Sequence, residues 1–205
     1  MTKIKNQFSC GCCWSFAIAA EVESFFLIKN GVTLDLSEQQ LLDCNTQGMS
    51  CSGGWFTAYD FVVNVGFVND ALYPYTNTKG TCKTSNIGPV VAKIAAYVSL
   101  NGCRALQTAL QTQPISIAIN ANDWSSYRKG VFNGPSNNRC NSTQPVNHAV
   151  VVVAWNNRTG VYTIKNSWGL TWGAKAPGST ENGGGYMHLP KGNCRKMCDY
   201  SFYAK

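Results

Sequence analysis

Three cysteines crowd the mouth of a run too apolar to face water. From Gln7 the chain reads Gln7-Phe8-Ser9-Cys10-Gly11-Cys12-Cys13-Trp14-Ser15-Phe16-Ala17, then continues through Ile18, Ala19, Ala20, Val22, Phe25, Phe26, Leu27 and Ile28. Apolar residues at nearly every position of a helical wheel mean a helix buried on all sides, around which the rest of the chain has to pack. The spacing predicts a helix over 13–29, with Gly31 placed to cap it in the left-handed conformation. A cysteine in the first turn of such a helix lies where uncapped N–H groups and the macrodipole favour negative charge. That favours the thiolate, which is the nucleophilic form. The plainer alternative is a set of structural or disulfide cysteines, since a buried free cysteine behaves as a small hydrophobe.

The bulk numbers narrow the class. With 205 residues, 44% of them hydrophobic and 13% charged, the chain can bury a sizeable core as one domain or two small lobes and is not disordered. The net charge of +7 comes from basic residues scattered singly, which describes a solvated surface rather than a nucleic-acid groove. At most it gives a mild preference for acidic partners. Ten cysteines point to disulfides formed in an oxidising compartment. The sequons Asn141-Ser142-Thr143 and Asn157-Arg158-Thr159 fit a secretory route. No stretch has the length needed to cross a membrane. No signal peptide is present, and none is expected of a mature chain.

Along the chain, 36–44 reads as a short helix capped by Ser37, and 55–65 as a second helix ending at Gly66. Between them Ser50-Cys51-Ser52-Gly53-Gly54 is a loop whose glycines admit close backbone approach. Leu72-Tyr73-Pro74-Tyr75 forms an extended aromatic corner. From about residue 90 the texture turns to strands at 90–100, 114–119, 149–155, 161–165, 185–189 and 200–203, with a strand segment starting at 130–132 and a short helix at 104–111. The expected division is a helical lobe over 1–90 and a β-rich lobe over 91–205, with the C-terminal segment crossing back.

His148 precedes one strand run and Asn166 follows the next, with the turn-rich Asn156-Asn157-Arg158-Thr159-Gly160 between. A hairpin centred on Asn157 places 148 opposite 166, and a bulge would move the pairing by one residue. The pairing makes chemical sense, because a side-chain amide oxygen can fix the tautomer of a histidine that works as acid and base. His188, in Tyr186-Met187-His188-Leu189-Pro190, reads as a surface or strand residue. Cys10, Cys12 and Cys13 lie close together and Cys194 and Cys198 form a second pair. No spacing matches a zinc site, so neither a metal nor a cofactor is expected.

Gln-x-x-Cys-Gly-x-Cys-Trp-Ser-Phe-Ala, with His148 and then Asn166 far downstream in Asn166-Ser167-Trp168-Gly169, resembles the papain-like (cathepsin L-type) cysteine proteases over the whole chain. The resemblance implies an α+β, two-lobe fold, with a helical lobe around the central helix, a β-barrel-like lobe and an active-site cleft between. It implies an endopeptidase in which Cys13 is the nucleophile, His148 the acid–base and Asn166 its orienter. Gln7 and the Cys13 backbone N–H would form the oxyanion hole, and Trp168 would shield the His–Asn hydrogen bond. It also implies disulfides Cys10–Cys51, Cys44–Cys82 and Cys140–Cys194; with Cys13 set aside as the nucleophile, this leaves Cys12, Cys103 and Cys198, with Cys103–Cys198 a further possible pair.

On the substrate side the resemblance implies that Gly11 and the Gly53-Gly54 strip bind an extended peptide as an added strand. Trp55, Phe56, Ala118, Val146, Asn147, Ala149 and Tyr200 would line the pocket for the second residue before the cut. An apolar pocket shortened by Tyr200 predicts medium apolar residues there rather than Arg. The implied partners are peptide and protein substrates and cystatin-like or pro-segment inhibitors, with the enzyme a monomer that engages neither nucleic acid nor membrane. The implied location is secreted or lysosomal/vacuolar. The family is made with an inhibitory pro-segment. This chain carries none and begins short of the family's usual mature N-terminus, so Met1-Thr2 is read as a fragment boundary.

Three departures stand out. Phe8 replaces a glycine, Cys12 replaces Ser or Ala, and the Gly/Pro/Ser-rich stretch at 174–184 is longer than the family's connection. Phe8 and Cys12 keep open an alternative, a catalytically impaired homologue acting as a binding or regulatory protein, against which the intact Cys13, His148, Asn166 and Gln7 speak and which turnover of a dipeptide amide would exclude. A disulfide-rich structural protein, the remaining alternative, would show no acidic thiol.

Overall fold

The computed structural model describes residues 1–132, 144–175, 184–191 and 194–205. The chain forms two compact units. Unit 1 comprises Met1–Lys3, Gln7–Val98 and Tyr203–Lys205, and unit 2 comprises Ile4–Asn6 and Ser99–Phe202.

Unit 1 is organised by α1 (Cys13–Asn30). Trp14, Ile18, Ala19 and Val22 are fully buried, as are the polar Ser15, Glu21 and Glu23, so the first turns of the helix touch protein on every side. Each large apolar side chain buried this way stabilises the fold by roughly 1.5–3 kcal/mol. Gly31 ends the helix with φ 68°, its N–H donating to the Leu27 carbonyl, because a left-handed residue closes a helix at little cost only when it lacks a Cβ. Next comes α2 (Glu38–Cys44), capped by Ser37, whose hydroxyl accepts the Gln40 N–H and donates to the Tyr73 carbonyl. The expected helix at 55–65 begins instead as a 3-10 turn, Phe56–Ala58, and becomes α3 only over Tyr59–Asn64. Disulfides Cys10–Cys51 and Cys44–Cys82 staple the unit.

The expected strand at 90–100 is regular only at its end, in β1 (Tyr97–Leu100). Earlier in that stretch Val91 and Ala92 exchange backbone bonds with Phe67 in a single bridge, so they have a partner residue but no partner strand. After α4 (Cys103–Ala109) come β2 (Ile115–Ile119), β3 (His148–Asn156), β4 (Val161–Lys165), β5 (Tyr186–Pro190) and β6 (Ser201–Ala204). The sheet order is β1-β6-β2-β3-β4-β5, and the pairs β2/β6, β2/β3, β3/β4 and β4/β5 are antiparallel. All five residues of β2 are buried, which is why Ile115-Ser116-Ile117-Ala118-Ile119 reads as an apolar run and not as an alternation. The segment at 130–132 reaches only a bridge, Val131 to His188.

The β3–β4 hairpin differs from the expected register. Val152 pairs with Ile164 and Val151 with Lys165, after a shift between Val152 and Ala154. The turn is centred between Arg158 and Thr159, held by Asn156 Oδ1 accepting the N–H groups of both, and Gly160 closes it at φ 66°. His148 therefore does not face Asn166 directly across the ladder, because Asn156 and Gly160 fix the turn further along than Asn157. The disulfide Cys103–Cys198 closes unit 2. The expected Cys140–Cys194 pairing, the sequon at Asn141 and most of the 174–184 stretch lie outside the described residues.

Candidate active site

In unit 1 the site is a pinned turn feeding a helix. Cys13 is the first residue of α1 and is partly accessible; no side-chain cap comes from Cys12 and no acidic residue lies in the first turn. Negative charge at Cys13 therefore meets the positive end of the helix with no competing carboxylate there. The turn before it is tied on two sides. Gly11 donates to the Cys51 carbonyl, and a Cβ on Gly11 would strike that oxygen. On the other side Tyr75 Oη donates to the Gln7 carbonyl at 2.8 Å, and Asn77 accepts the Cys10 N–H at 3.1 Å. Gln7 is buried, and its amide donates to the Cys10 carbonyl at 3.0 Å.

The two free thiols of this turn differ sharply. Cys12 is fully buried and lies 3.2 Å from Tyr75 Oη. The single phenolic proton is given to Gln7, so the Cys12 thiol is the donor to the phenol oxygen. Burial pushes this thiol up to about 11, and the neighbouring Cys13 adds to the effect. Cys12 thus stays protonated and packs as a small hydrophobe in place of a serine.

In unit 2, His148 opens β3 and Asn166 directly follows β4. His148 Nε2 and Asn166 Oδ1 are 2.7 Å apart and both residues are buried. The bond forms despite the shifted register, because side chains two residues off the direct partner remain within reach across an antiparallel pair. Asn166 Oδ1 also accepts the Ser167 N–H at 2.8 Å, which fixes the amide with its oxygen toward the ring. Burial pushes His148 down to about 4, partly offset by the bond to Asn166. Trp168 packs on the imidazole with centroids 4.9 Å apart.

The remaining expected site residues are distributed as follows. In unit 1, Gly53 has φ 127°, and a Cβ on Gly54 would come within 2.5 Å of the Trp14 ring. Trp55 is half-buried, whereas Phe56 is 1% exposed and packs toward Tyr59 in the core. In unit 2, Ala118 pairs with Ala149 across β2 and β3 and donates its N–H to the Tyr200 carbonyl, while Asn147 donates to the Ile119 carbonyl. These four residues and His148 thus gather at one end of the sheet. His188, in β5, contacts Thr163 through its ring.

Two residues escaped the sequence. Trp124 sits edge-on to His148, 6.1 Å between centroids, and packs with Trp168 and Trp172, whose indole N–H donates to the Trp124 carbonyl. Nothing in its local pattern separates it from an ordinary loop tryptophan. Tyr75 has a visible signal, the aromatic corner, but its bond to Gln7 joins residues 68 apart in sequence.

Residues 1–200 match the family described as Papain family cysteine protease. The chain belongs to this family, and with it to the class of cysteine-type endopeptidases. Stem bromelain of Ananas comosus is 43% identical over 178 residues, 84% of this chain and 79% of that protein. Ananain of the same plant is 39% identical over 199 residues, 93% of this chain; the chain spans about half the length of that relative, 53%. Among solved structures, the Carica candamarcensis cysteine protease CMS1MS2 in complex with E-64 superposes with a TM-score of 0.86 at 32% identity, covering 100% of this chain and 93% of that one. The α+β arrangement described above is thus the papain-like fold.

Proposed function

We propose that the chain hydrolyses peptide bonds through Cys13, His148 and Asn166, with unit 1 carrying the nucleophile and unit 2 the histidine and its orienter. The observation that carries this is the buried His148–Asn166 bond at 2.7 Å, made through Nε2, which leaves Nδ1 for the thiol. Nδ1 takes the thiol proton; the sulfur attacks the scissile carbonyl; the imidazolium passes its proton to the leaving amine. Water, deprotonated by the same nitrogen, then releases the acid from the thioester. Gln7 Nε2–H and the Cys13 N–H stabilise the oxyanion. The acyl side of the substrate pairs with Gly53 and Gly54. Trp55, Ala118, Val146, Asn147, Ala149 and Tyr200 line an apolar pocket for the second residue before the cut, Phe56, at 1% exposure, backing it through Trp55, and Gly11 and Trp168 contact the substrate elsewhere in the site. The enzyme acts as a monomer on peptide and protein substrates, without metal or cofactor, and pro-segment or cystatin-like proteins inhibit it.

Alkylation at about pH 5.5 tests the couple, because an ordinary thiol with pKa about 8.5 is almost inert there. Stoichiometric labelling of Cys13 alone, with turnover of a fluorogenic Leu- or Val-containing dipeptide amide, is the expected result. Absence of both supports a catalytically impaired homologue. The same substrates with Arg at the pocket position should be turned over more slowly, and equal rates would refute the pocket. A secreted or lysosomal/vacuolar location is supported by three disulfides among the described residues. Glycopeptide mapping at the exposed Asn157 checks that route.

A further inference from the structure

Phe8 is an anomaly twice over. Its φ is +50°, in the region where a bulky side chain is strained, and its side chain is 66% exposed, the most exposed of the large hydrophobic residues described. A left-handed non-glycine residue costs on the order of 1 kcal/mol, and an aromatic ring left largely in water buries little apolar area against that cost. The conformation is imposed from both flanks. The Gln7 carbonyl is held by Tyr75, Ser9 Oγ by Asn77, and Cys10 by both Asn77 and the disulfide to Cys51. Between these anchors Phe8 takes its left-handed conformation with its side chain exposed.

The anchors also indicate which side of the substrate meets Phe8. The 51–54 loop is joined to the turn at Cys10 and Gly11 and packs against Trp14. Gln7 and Ser9 are joined to Tyr75 and Asn77 instead. In the proposed binding mode, a peptide whose acyl side runs along Gly53 and Gly54 crosses Cys13 and continues past Gln7, next to Phe8 in the chain.

We infer that Phe8 is a specificity-determining residue that selects apolar side chains on the leaving-group side of the scissile bond; this rests on the proposed peptidase site. Substrate covers the exposed ring on binding, and that contact offsets the strain of the turn. The left-handed backbone sets the direction of the ring, so a glycine at this position would keep the turn and lose the contact.

The test compares the native chain with Phe8→Gly and Phe8→Leu on two internally quenched peptides of identical acyl side. One carries Leu in the two positions after the cut and the other Gly. A dipeptide methyl ester, whose leaving group is methanol, is the third substrate. The native chain should prefer the Leu peptide. Phe8→Gly should lower the Leu/Gly ratio of kcat/KM by about tenfold, the size expected for one apolar contact in a pocket, and Phe8→Leu should keep most of it. Phe8→Gly should also raise Tm, because the strain is relieved. An unchanged ratio overturns the inference. So does an equal fall on all three substrates, which would make Phe8 a backbone element only. Failure of the native chain to turn over even the methyl ester removes the proposed activity and this inference with it, a result distinct from an active enzyme indifferent to Phe8.

Discussion

His148 sits in surroundings that, taken alone, keep its ring neutral. Burial holds it near 4, and Asn166 offsets only part of that. A charged imidazole at this position therefore requires a paired anion, and the proposed partner is the Cys13 thiolate. In a Cys13→Ala variant the native ring should titrate near 4 and the unfolded ring near 6.5. The unfolded chain then binds more protons between those values, so stability is present above about 6.5 and is lost as the pH falls toward 4. NMR titration of His148 and urea unfolding against pH measure this. In the intact chain the ring should stay protonated well above 6.5; identical titrations in both forms would remove the ion pair. Asn166→Ala leaves a buried ring nitrogen without its partner and frees the imidazole to rotate. Its kcat should fall on the order of 10- to 100-fold with a smaller change in KM.

Within α1 the polar residues matter as much as the apolar ones. Glu21 is fully buried, accepting from Tyr59 Oη and from the Ala204 N–H, and burial pushes its carboxyl up to about 8. Its folded pKa lies above the unfolded 4.5, so the stability it contributes is complete below about 4.5 and is lost as pH rises through 8, with a limiting slope of about 1.4 kcal/mol per pH unit. Glu21→Gln should flatten that decline, and a chemical-denaturation series from pH 4 to 9 would detect a variant that still declines. The helix itself was legible, from its all-round apolarity to the Gly31 cap, because those signals are local. So was Ser37, and so were the strand cores at 115–119 and 161–165. The 3-10 entry to α3, the lone bridge at Ala92 and the hairpin register were not. Each depends on which distant residue supplies a backbone partner or on which of several turn residues holds the bend. At the site, chain order and motif gave His148 and Asn166, but the amide's orientation through Ser167 and the packing of Trp124 exist only once the chain is folded.

Across the whole molecule the described disulfides close long loops. Cys10–Cys51 spans 41 residues, Cys44–Cys82 spans 38 and Cys103–Cys198 spans 95. In the chain-entropy account each constrains the unfolded chain by about 4–5 kcal/mol, most for the longest loop. Cys103→Ser with Cys198→Ser should therefore reduce the unfolding free energy by about that much, with unit 2 losing protection first in hydrogen exchange. A loss below about 1 kcal/mol would mean that α4 and β6 are held by packing alone. The sequence could not settle this pairing, since leftover cysteines have no spacing that identifies partners. The allocation of the chain ends has a consequence for biosynthesis. Tyr203–Lys205 belong to unit 1, where Ala204 bonds Glu21 and Lys205 exchanges backbone bonds with Ala96. A ribosome makes these residues only after every residue of unit 2. The first unit to emerge thus waits, with the carboxyl group in its central helix lacking one of its native donors, until all of unit 2 has been translated.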